Sequence, residues 1–293
     1  MISLCTPLSQ DHRIGICAPA GSFDIGKFNS GLQVIQEMGF EVYIPEAIYA
    51  QKNYTAGSDE QRAFILQHLF LDKTINCIVC ARGGYGSMRI LSLLDFGLIR
   101  KHPKRIVGFS DITALLVTLY QQCNFITYHG PMVTTLSQNC TISRSHWYDV
   151  LTHNSPNTIH ALGPTLHGGS AEGRLIGGNL TTLCHLLGTP YMPNFDNHIV
   201  FFEDIAEPVY KLDRMLTQMK LAGVFKKIHG LILGSFKNCG NILMIYDLFY
   251  ELFKHDGIPM LAGFHVGHDT PNMTLPIGMR VSLDTHKQTL NFL

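Results

Sequence analysis

The sequence predicts an α/β protein with two domains. Residues 13–131 alternate short apolar runs typical of strands with amphipathic runs typical of helices, which favours a parallel sheet covered on both faces. Residues 170–293 instead contain short apolar runs separated by glycine, a pattern that predicts a smaller, mixed β unit. The length of 293 residues also exceeds that of most single compact units.

The elements of the first part follow in order along the chain. We assign strands to residues 13–19, 40–45, 75–82, 105–110 and 125–131. The intervening helices are predicted at residues 28–38, 59–71, 86–96 and 112–122. Gly39 directly follows the first helix, a position where glycine commonly ends a helix.

The second part begins after a polar interval. From about residue 136 to 169 the chain is rich in Ser, Asn, His, Thr and Pro, with Trp147 in a short helical-looking piece, so we expect the domain crossing there. Beyond it we predict strands at 198–204 and 229–236, helices at 210–222 and 242–254, and short strands in the tail.

Composition narrows the class of protein. Lys plus Arg equals Asp plus Glu at 22 each, so the net charge offers no general attraction for nucleic acid or a membrane surface. The 8 cysteines lie in core-like segments, which suits free thiols in a reducing compartment. The N-terminal residues lack a signal-peptide pattern. We therefore expect a cytoplasmic protein that binds neither nucleic acid nor membrane.

The joint "RIVGFSDITALL", residues 105–116, carries the first candidate site residue. Ser110 stands where a predicted strand turns into a helix, at the edge of the sheet where parallel strands present function. The helix start would favour a developing oxyanion, as a serine nucleophile requires. The alternative is that Ser110 or Asp111 caps the helix, since Ile112 replaces the last glycine of the G-x-S-x-G pattern.

A serine nucleophile needs a base and a carboxylate that orients the base. Glu203 and Asp204 end the predicted strand "HIVFFED", and either could be that carboxylate or part of a solvated strand end. His265 and His268 lie in the loop "GFHVGHDTPN", where a histidine is either a base or simply exposed.

The glycine loop "ARGGYGS", residues 81–87, follows a strand and opens a helix. Its backbone could form a nest for an anion, although it lacks the endings of a P-loop and of a dinucleotide fingerprint. Arg82 could bind a carboxylate through both guanidinium nitrogens or form a structural ion pair.

Two cysteine and histidine spacings do not favour metal or redox chemistry. Cys77 and Cys80 have C-x-x-C spacing inside a strand, where alternation points them to opposite faces. His265 and His268 lack the H-E-x-x-H frame of a metallopeptidase. We expect no metal and no cofactor.

Taken together, these segments resemble the LD-carboxypeptidase family of serine peptidases, which includes muramoyltetrapeptide carboxypeptidases and the related microcin C immunity peptidases. The resemblance runs in order over nearly the whole chain through "ICAPAG", "ARGGYGS", "GFSDITAL", "HGPM", "GGNLTTL", "FFEDIAEPVYKLDRML", "LILGSF" and "GHDTPNMTLPIG". It implies that Ser110 is the nucleophile, Glu203 the orienting carboxylate and His268 the general base.

The resemblance also implies an oxyanion hole and a substrate contact. The backbone N–H groups of Gly84 and Asp111 would bind the oxyanion, and the Asp111 side chain could additionally cap the helix. Asn179, in "GGNL", matches a family position that contacts substrate, and it could also cap a helix. From its chemistry, Arg82 is our candidate for the group that binds the terminal carboxylate of the substrate.

The fold implied is an N-terminal flavodoxin-like parallel-sheet domain plus a smaller C-terminal β-rich domain of the swivelling β/β/α type. On this basis residues 1–137 form the first domain, 138–169 the linker, and 170–293 the second domain, which carries Glu203 and His268. The resemblance places the site at the interface of the domains and implies a homodimer.

The activity implied is removal of the terminal D-alanine from murein tetrapeptides, free or linked to a muropeptide, in peptidoglycan recycling. One alternative is detoxification of a peptidyl or acyl-amide compound, as in the microcin immunity branch. A second is a binding protein that has lost catalysis, although the presence of Ser110, Glu203 and His268 with their local motifs disfavours it.

Overall fold

The chain forms two compact units, and one short segment within the sequence of the second unit belongs to the first. The computed structural model describes residue 2 and residues 5–153 and 158–293. Unit 1 comprises Met1–Asn154 and Met273–Pro276, and unit 2 comprises Ser155–Asn272 and Ile277–Leu293. Four residues near the C-terminus therefore return to unit 1.

Strands and helices are numbered along the chain. The strands are β1 (Arg13–Cys17), β2 (Glu41–Tyr43), β3 (Cys77–Cys80), β4 (Arg105–Gly108), β5 (Thr127–His129), β6 (Ile159–His160), β7 (Thr165–His167), β8 (Ser170–Asn179), β9 (His198–Ile205), β10 (Gly230–Lys237), β11 (Met260–Ala262), β12 (Leu275–Ile277), β13 (Arg280–Asp284) and β14 (Thr289–Phe292). The α-helices are α1 (Ile25–Glu37), α2 (Asp59–Leu71), α3 (Ser87–Ile90), α4 (Phe96–Lys101), α5 (Thr113–Cys123), α6 (Val133–Leu136), α7 (Thr141–Thr152), α8 (Leu180–His185), α9 (Val209–Leu221) and α10 (Ile242–Phe253).

Unit 1 is built on a six-stranded sheet within the described residues, in the order β12-β5-β4-β3-β1-β2. Strands β1 to β5 run parallel to one another. Strands β3 and β4 are buried along their whole length, as expected when helices cover both faces. The predicted parallel-sheet domain is confirmed.

Helix α2 begins at a capping box, in which Ser58 and Gln61 each accept a hydrogen bond from the backbone N–H of the other. The predicted helix at 86–96 is instead two short helices, α3 and α4, joined by a 3-10 turn at Leu91–Leu93. Asp95 explains the break, because its side chain accepts a hydrogen bond from the Leu98 N–H and begins a new helix.

Unit 2 contains an eight-stranded mixed sheet within the described residues, in the order β6-β14-β13-β8-β9-β10-β11-β7. The central strands β8, β9, β10 and β11 run parallel, while both edges are antiparallel. Helices α9 and α10 bury one apolar face each, and the Phe202, Phe225 and Phe249 rings form part of the core. The predicted β-rich character of this part is confirmed.

The interval 138–169, predicted as a linker, contains regular structure. Helix α7 lies in unit 1 and buries Trp147, whose indole N–H donates to the Pro131 carbonyl at 3.1 Å. Strands β6 and β7 lie in unit 2, and residues 154–157 lie outside the described residues. The short helical piece predicted around Trp147 is therefore confirmed as helix α7, although it belongs to unit 1 and not to a linker. In the described part of the chain, no helix has the length and apolar character needed to cross a membrane.

Candidate functional site

Ser110 occupies a strained turn between β4 and α5. Its φ is +62°, in the left-handed region that costs a non-glycine residue roughly 1–2 kcal/mol. Gly108 permits the sharp turn, because a Cβ there would lie 2.5 Å from the Cγ2 of Ile112. Strain of this kind at a strand-to-helix turn is typical of a serine nucleophile elbow.

Neither Ser110 nor Asp111 caps the helix that follows. No side-chain hydrogen bond caps the 3-10 turn Ser110–Ile112 or helix α5, so that expectation is wrong for these described elements. The Asp111 carboxylate instead accepts the Ser87 backbone N–H at 2.8 Å, while the Ser87 hydroxyl donates to the Asp111 carbonyl at 2.5 Å. Asp111 therefore stabilises the start of α3 rather than its own helix.

The glycine loop lies directly against the Ser110 turn within unit 1. A Cβ at Gly83 would lie 3.0 Å from the Ser110 Cβ and 3.3 Å from its Oγ, so only glycine allows this approach. Gly84 has a φ of +99°, and the Gly83 carbonyl accepts a hydrogen bond from Gly21 at 3.0 Å. Ser110, Asp111 and the glycine loop thus form one local arrangement.

Arg82 is exposed and bound to a backbone carbonyl. Its Nη1 donates to the Ser22 oxygen at 2.6 Å. A neutral carbonyl does not compensate the positive charge of a guanidinium as a carboxylate would. Arg82 therefore remains suited to binding an anionic ligand. Among the described residues Arg82 forms no ion pair, so the structural alternative takes the form of this hydrogen bond to a backbone carbonyl.

Glu203 and His268 are brought together within unit 2. The Glu203 side chain is fully buried near the end of β9, and its Oε2 lies 2.6 Å from the His268 Nδ1. Its second oxygen, Oε1, is buried with no hydrogen-bond partner among the described residues. The His268 side chain is 14% exposed, so its ring is anchored by a buried carboxylate and still open to solvent.

The electrostatics of this pair favour a proton on the imidazole. Burial lowers the pKa of His268, but the nearby Glu203 charge and its hydrogen bond outweigh burial, so the pKa lies above the usual value. A carboxylate bonded to Nδ1–H fixes the tautomer of the ring and stabilises the imidazolium. The arrangement has the chemistry of a general base with its orienting acid.

Asp204, the alternative carboxylate, has a structural role. Its oxygens accept hydrogen bonds from the Asn179 amide at 2.9 Å, from the Thr181 N–H and hydroxyl at 2.9 and 2.7 Å, and from its own neighbour Ile205. Burial and the Glu203 charge raise its pKa. Neighbouring side chains in a strand point to opposite faces, which explains why only one of the two reaches His268.

Asn179 caps helix α8, as one of its two predicted roles requires. Its Oδ1 accepts the Thr182 backbone N–H at 3.0 Å, and its Nδ2 donates to Asp204. The side chain is buried at the end of β8, where it pairs in register with Glu203 on β9. Contact of Asn179 with substrate stays a prediction.

The loop that carries His268 depends on glycine. Gly267 has a φ of +117°, and a Cβ there would lie 2.5 Å from the Glu203 Oε2. The Gly267 N–H donates to the Asn272 side chain at 2.9 Å. His265, the other candidate base, lines a groove of about 580 Å³ with Ser235 and Tyr246 and is not the partner of Glu203.

The cysteine pair of the C-x-x-C spacing lies in the core. Cys77 and Cys80 are buried in β3, and the Cys80 sulfur lies 3.7 Å from that of Cys17 on β1. Burial raises the pKa of Cys77 to about 12, which suppresses the thiolate needed for metal binding or redox exchange. Among the described residues, no three His, Cys, Asp or Glu side chains are grouped as metal ligands.

Comparisons with known proteins agree with both halves of the chain. The model of the LD-carboxypeptidase N-terminal domain matches residues 14–130, and that of the LD-carboxypeptidase C-terminal domain matches residues 172–283. A probable murein peptide carboxypeptidase from Bacillus subtilis (strain 168) is 35% identical, covering 96% of this chain and 92% of its own.

Two solved structures extend the similarity over nearly the whole chain. The MccF-like protein from Bacillus anthracis superposes with a TM-score of 0.92 at 27% identity, covering 99% of both chains. The muramoyltetrapeptide carboxypeptidase from Oxalobacter formigenes gives a TM-score of 0.86 at 28% identity, covering 96% of this chain and 97% of its own. This chain therefore belongs to the LD-carboxypeptidase family and is a serine-type carboxypeptidase.

Proposed function

We propose that this enzyme removes the terminal D-alanine from murein tetrapeptides, using Ser110 as nucleophile, His268 as general base and Glu203 as orienting acid. The observation that carries the proposal is the 2.6 Å contact between the buried Glu203 carboxylate and a partly exposed His268 ring. That contact supplies the base and its orienter, and the strained Ser110 supplies a matching nucleophile.

Acylation is the first half of the proposed reaction. The His268 Nε2, opposite the nitrogen bound to Glu203, takes the proton of the Ser110 hydroxyl as its oxygen attacks the carbonyl carbon of the scissile amide. The carbonyl oxygen becomes an oxyanion, which the N–H groups of Gly84 and Asp111 would bind. As the C–N bond breaks, His268 returns the proton to the nitrogen of the leaving D-alanine.

Deacylation repeats the same steps with water. His268 takes a proton from water, the hydroxide oxygen attacks the acyl carbon, and Ser110 leaves with the proton from His268. No oxidant, reductant or metal enters the balance. Removing one oxyanion donor of this kind costs about 2.7–4 kcal/mol of transition-state stabilisation in serine peptidases.

The choice of substrate draws on the relatives and on charge. The Bacillus subtilis and Oxalobacter formigenes proteins are described as carboxypeptidases of murein peptides. A carboxypeptidase must recognise a free carboxylate, and the exposed Arg82, joined to the glycine loop in sequence, supports this role. Asn179 is proposed as a second substrate contact.

The cellular setting of the proposal is the recycling of peptidoglycan in the cytoplasm. All eight cysteines are free thiols, which agrees with a reducing compartment. Retention of radiolabelled tetrapeptide in cells that lack the gene would test the recycling role.

We also propose that the protein is a homodimer. Light scattering coupled to gel filtration would test this proposal, and a monomeric mass would contradict it.

Mass spectrometry on murein tetrapeptide, free and linked to anhydro-muramic acid, tests the activity. The wild-type protein is expected to release one alanine, and Ser110→Ala is expected to release none. Ser30→Ala, on the exposed face of α1, is the matched control and should behave as wild type. Release of alanine by Ser110→Ala would contradict the assignment of the nucleophile.

The similarity to the MccF-like structure favours one second candidate. The microcin C7 self-immunity protein MccF from Escherichia coli is also 28% identical over 98% of this chain, so the second candidate is hydrolysis of a peptidyl or acyl-amide compound by the same residues. Aminoacyl sulfamoyl adenosine serves as the probe in parallel incubations. Cleavage of this probe without cleavage of tetrapeptide would move the second candidate to first place. A folded protein that cleaves neither and is not labelled by a fluorophosphonate would instead be a binding protein.

A further inference from the structure

Strand β10 ends in an irregularity beside the His268 loop. Its register against β9 shifts between Leu233 and Phe236, which marks a β-bulge at Gly234 and Ser235. A Cβ at Gly234 would lie 2.5 Å from the Val266 carbonyl oxygen, so the loop packs against β10 at a point where only glycine leaves room. The Ser235 N–H donates to that same carbonyl at 2.8 Å.

The bulge aims the Ser235 hydroxyl at the loop backbone. Its Oγ accepts the His268 N–H at 3.1 Å and the Asp269 N–H at 3.4 Å. Two residues further along, the Lys237 ammonium donates to the His268 carbonyl at 3.2 Å. The peptide groups on both sides of the His268 Cα are therefore held by side chains of β10.

We propose that Ser235 is a positioning residue for His268, acting through the loop backbone to hold the imidazole against Glu203. The proposal rests on the proposed function and deepens it, because the Ser235 hydroxyl binds the backbone N–H groups of the loop that carries His268. Glu203 is fully buried in a strand, so the position of the loop sets the geometry of the pair. Misplacement by about 1 Å costs up to roughly a hundredfold in rate.

The charges around His268 come from three elements. Glu203 and Asp204 lie on β9, Lys237 lies on β10, and Asp269 follows on the loop itself, with its carboxylate 3.6 Å from the Lys237 ammonium. Ser235 is neutral. Its replacement changes the position of His268 among these charges and leaves the charges themselves in place.

The ring pKa of His268 in the intact protein gives a readout that a merely structural role would not move. We would follow the histidine ring resonances by ¹H–¹⁵N NMR between pH 5 and 9, assigning His268 by its loss in His268→Gln. In Ser235→Ala, the pKa of His268 is expected to fall toward the ordinary imidazole value as the ring moves from Glu203. Ser235→Thr, which keeps the hydroxyl, is expected to restore the wild-type titration.

Kinetics on murein tetrapeptide provide the second readout. Ser235→Ala is expected to lower kcat roughly tenfold to a hundredfold with KM almost unchanged, and Ser235→Thr to recover most of the loss. Ser282→Ala, a serine on β13 of the same sheet, is the matched control and should leave both readouts at wild-type values. If Ser235→Ala does not fold, Ser235→Cys replaces it with a weaker acceptor of similar size.

Two outcomes separate this proposal from the proposed function. A folded Ser235→Ala protein with the wild-type His268 titration and kcat would overturn the positioning role. A wild-type protein that cleaves no tetrapeptide would overturn the substrate assignment alone, because the NMR titration does not depend on activity.

Discussion

Ser87 and Asp111 bond to each other twice, through the Ser87 N–H to the Asp111 carboxylate at 2.8 Å and through the Ser87 hydroxyl to the Asp111 carbonyl at 2.5 Å. The first residue of α3 is thereby joined to the residue after Ser110. Because the glycine loop leads directly into α3, we expect this pair to hold the two proposed oxyanion donors, Gly84 and Asp111, in position.

Ser87→Ala is expected to lower kcat roughly tenfold while leaving KM near its wild-type value, because the donors act mainly on the transition state. The lost hydrogen bond should cost about 1 kcal/mol in the free energy of unfolding. Steady-state kinetics and urea denaturation measure the two effects. A variant with reduced stability but unchanged kcat would limit Ser87 to a structural role.

The two adjacent carboxylates should separate by function. Glu203→Gln keeps the size of the side chain but loses the acceptor that stabilises the imidazolium, so kcat should fall roughly 10⁴-fold, as it does when the triad carboxylate of a serine peptidase of another fold is replaced by its amide. Asp204→Asn cannot accept from every donor of Asn179 and Thr181, and it should lose about 1–3 kcal/mol of stability. Its kcat should fall far less than that of Glu203→Gln, and equal losses would contradict the assignment.

The pH dependence of kcat/KM should reflect His268. A general base works only when neutral, and the pKa of His268 lies above its usual value because of Glu203. The midpoint of the acid limb should therefore lie above pH ~6.5. Below that midpoint kcat/KM should drop tenfold per pH unit. In Glu203→Gln the limb should move to lower pH. A rate that stays constant from pH 5 to 8 would exclude His268 as the base.

Glycine at position 267 should be irreplaceable. Gly267→Ala places a Cβ 2.5 Å from the Glu203 Oε2 at a φ of +117°, so we expect a loss of about 2–4 kcal/mol in stability and of nearly all activity. Gly257 is the matched control, since its φ is +66° and no atom lies within 4 Å of its Cβ position. Gly257→Ala should cost about 1 kcal/mol and keep full activity.

His146 should make unit 1 sensitive to acid. Burial lowers its pKa to about 4, and its Nδ1 accepts the Thr274 N–H at 3.2 Å, which requires a neutral ring. A depressed histidine pKa gives stability that is present above pH ~6.5 and lost as the pH falls to about 4, up to about 3 kcal/mol. Urea denaturation at pH 7, 5.5 and 4.5 should show a smaller loss for His146→Gln than for wild type.

The sequence could predict what depends on local pattern. Uniformly apolar runs located β3, β4 and β9, and the polar residues that end such runs located Ser110 and the pair Glu203 and Asp204. The choice of Glu203 over Asp204 followed from family resemblance, since both residues end one strand and only packing tells them apart.

Features set by distant contacts escaped prediction. The bulge at Ser235 is stabilised by a hydrogen bond to the Val266 carbonyl in a distant loop. No pattern of residues within "LILGSF" predicts this bulge. The helical piece around Trp147 was predicted, but its place in unit 1 was not, because that place depends on the distant contact of Trp147 with Pro131. The two hydrogen bonds between Ser87 and Asp111 join residues that are 24 apart in the sequence, so local propensity does not predict them.

The return of Met273–Pro276 to unit 1 limits how this chain can be divided. Strand β12 is the neighbour of β5, so a fragment ending at residue 153 would leave that edge of the sheet uncovered and prone to recruit a strand from another molecule. Exchange of unit 2 between relatives would need junctions at 154/155, 272/273 and 276/277. A single recombination event would therefore produce a chimaera whose first sheet carries an edge strand from the wrong parent.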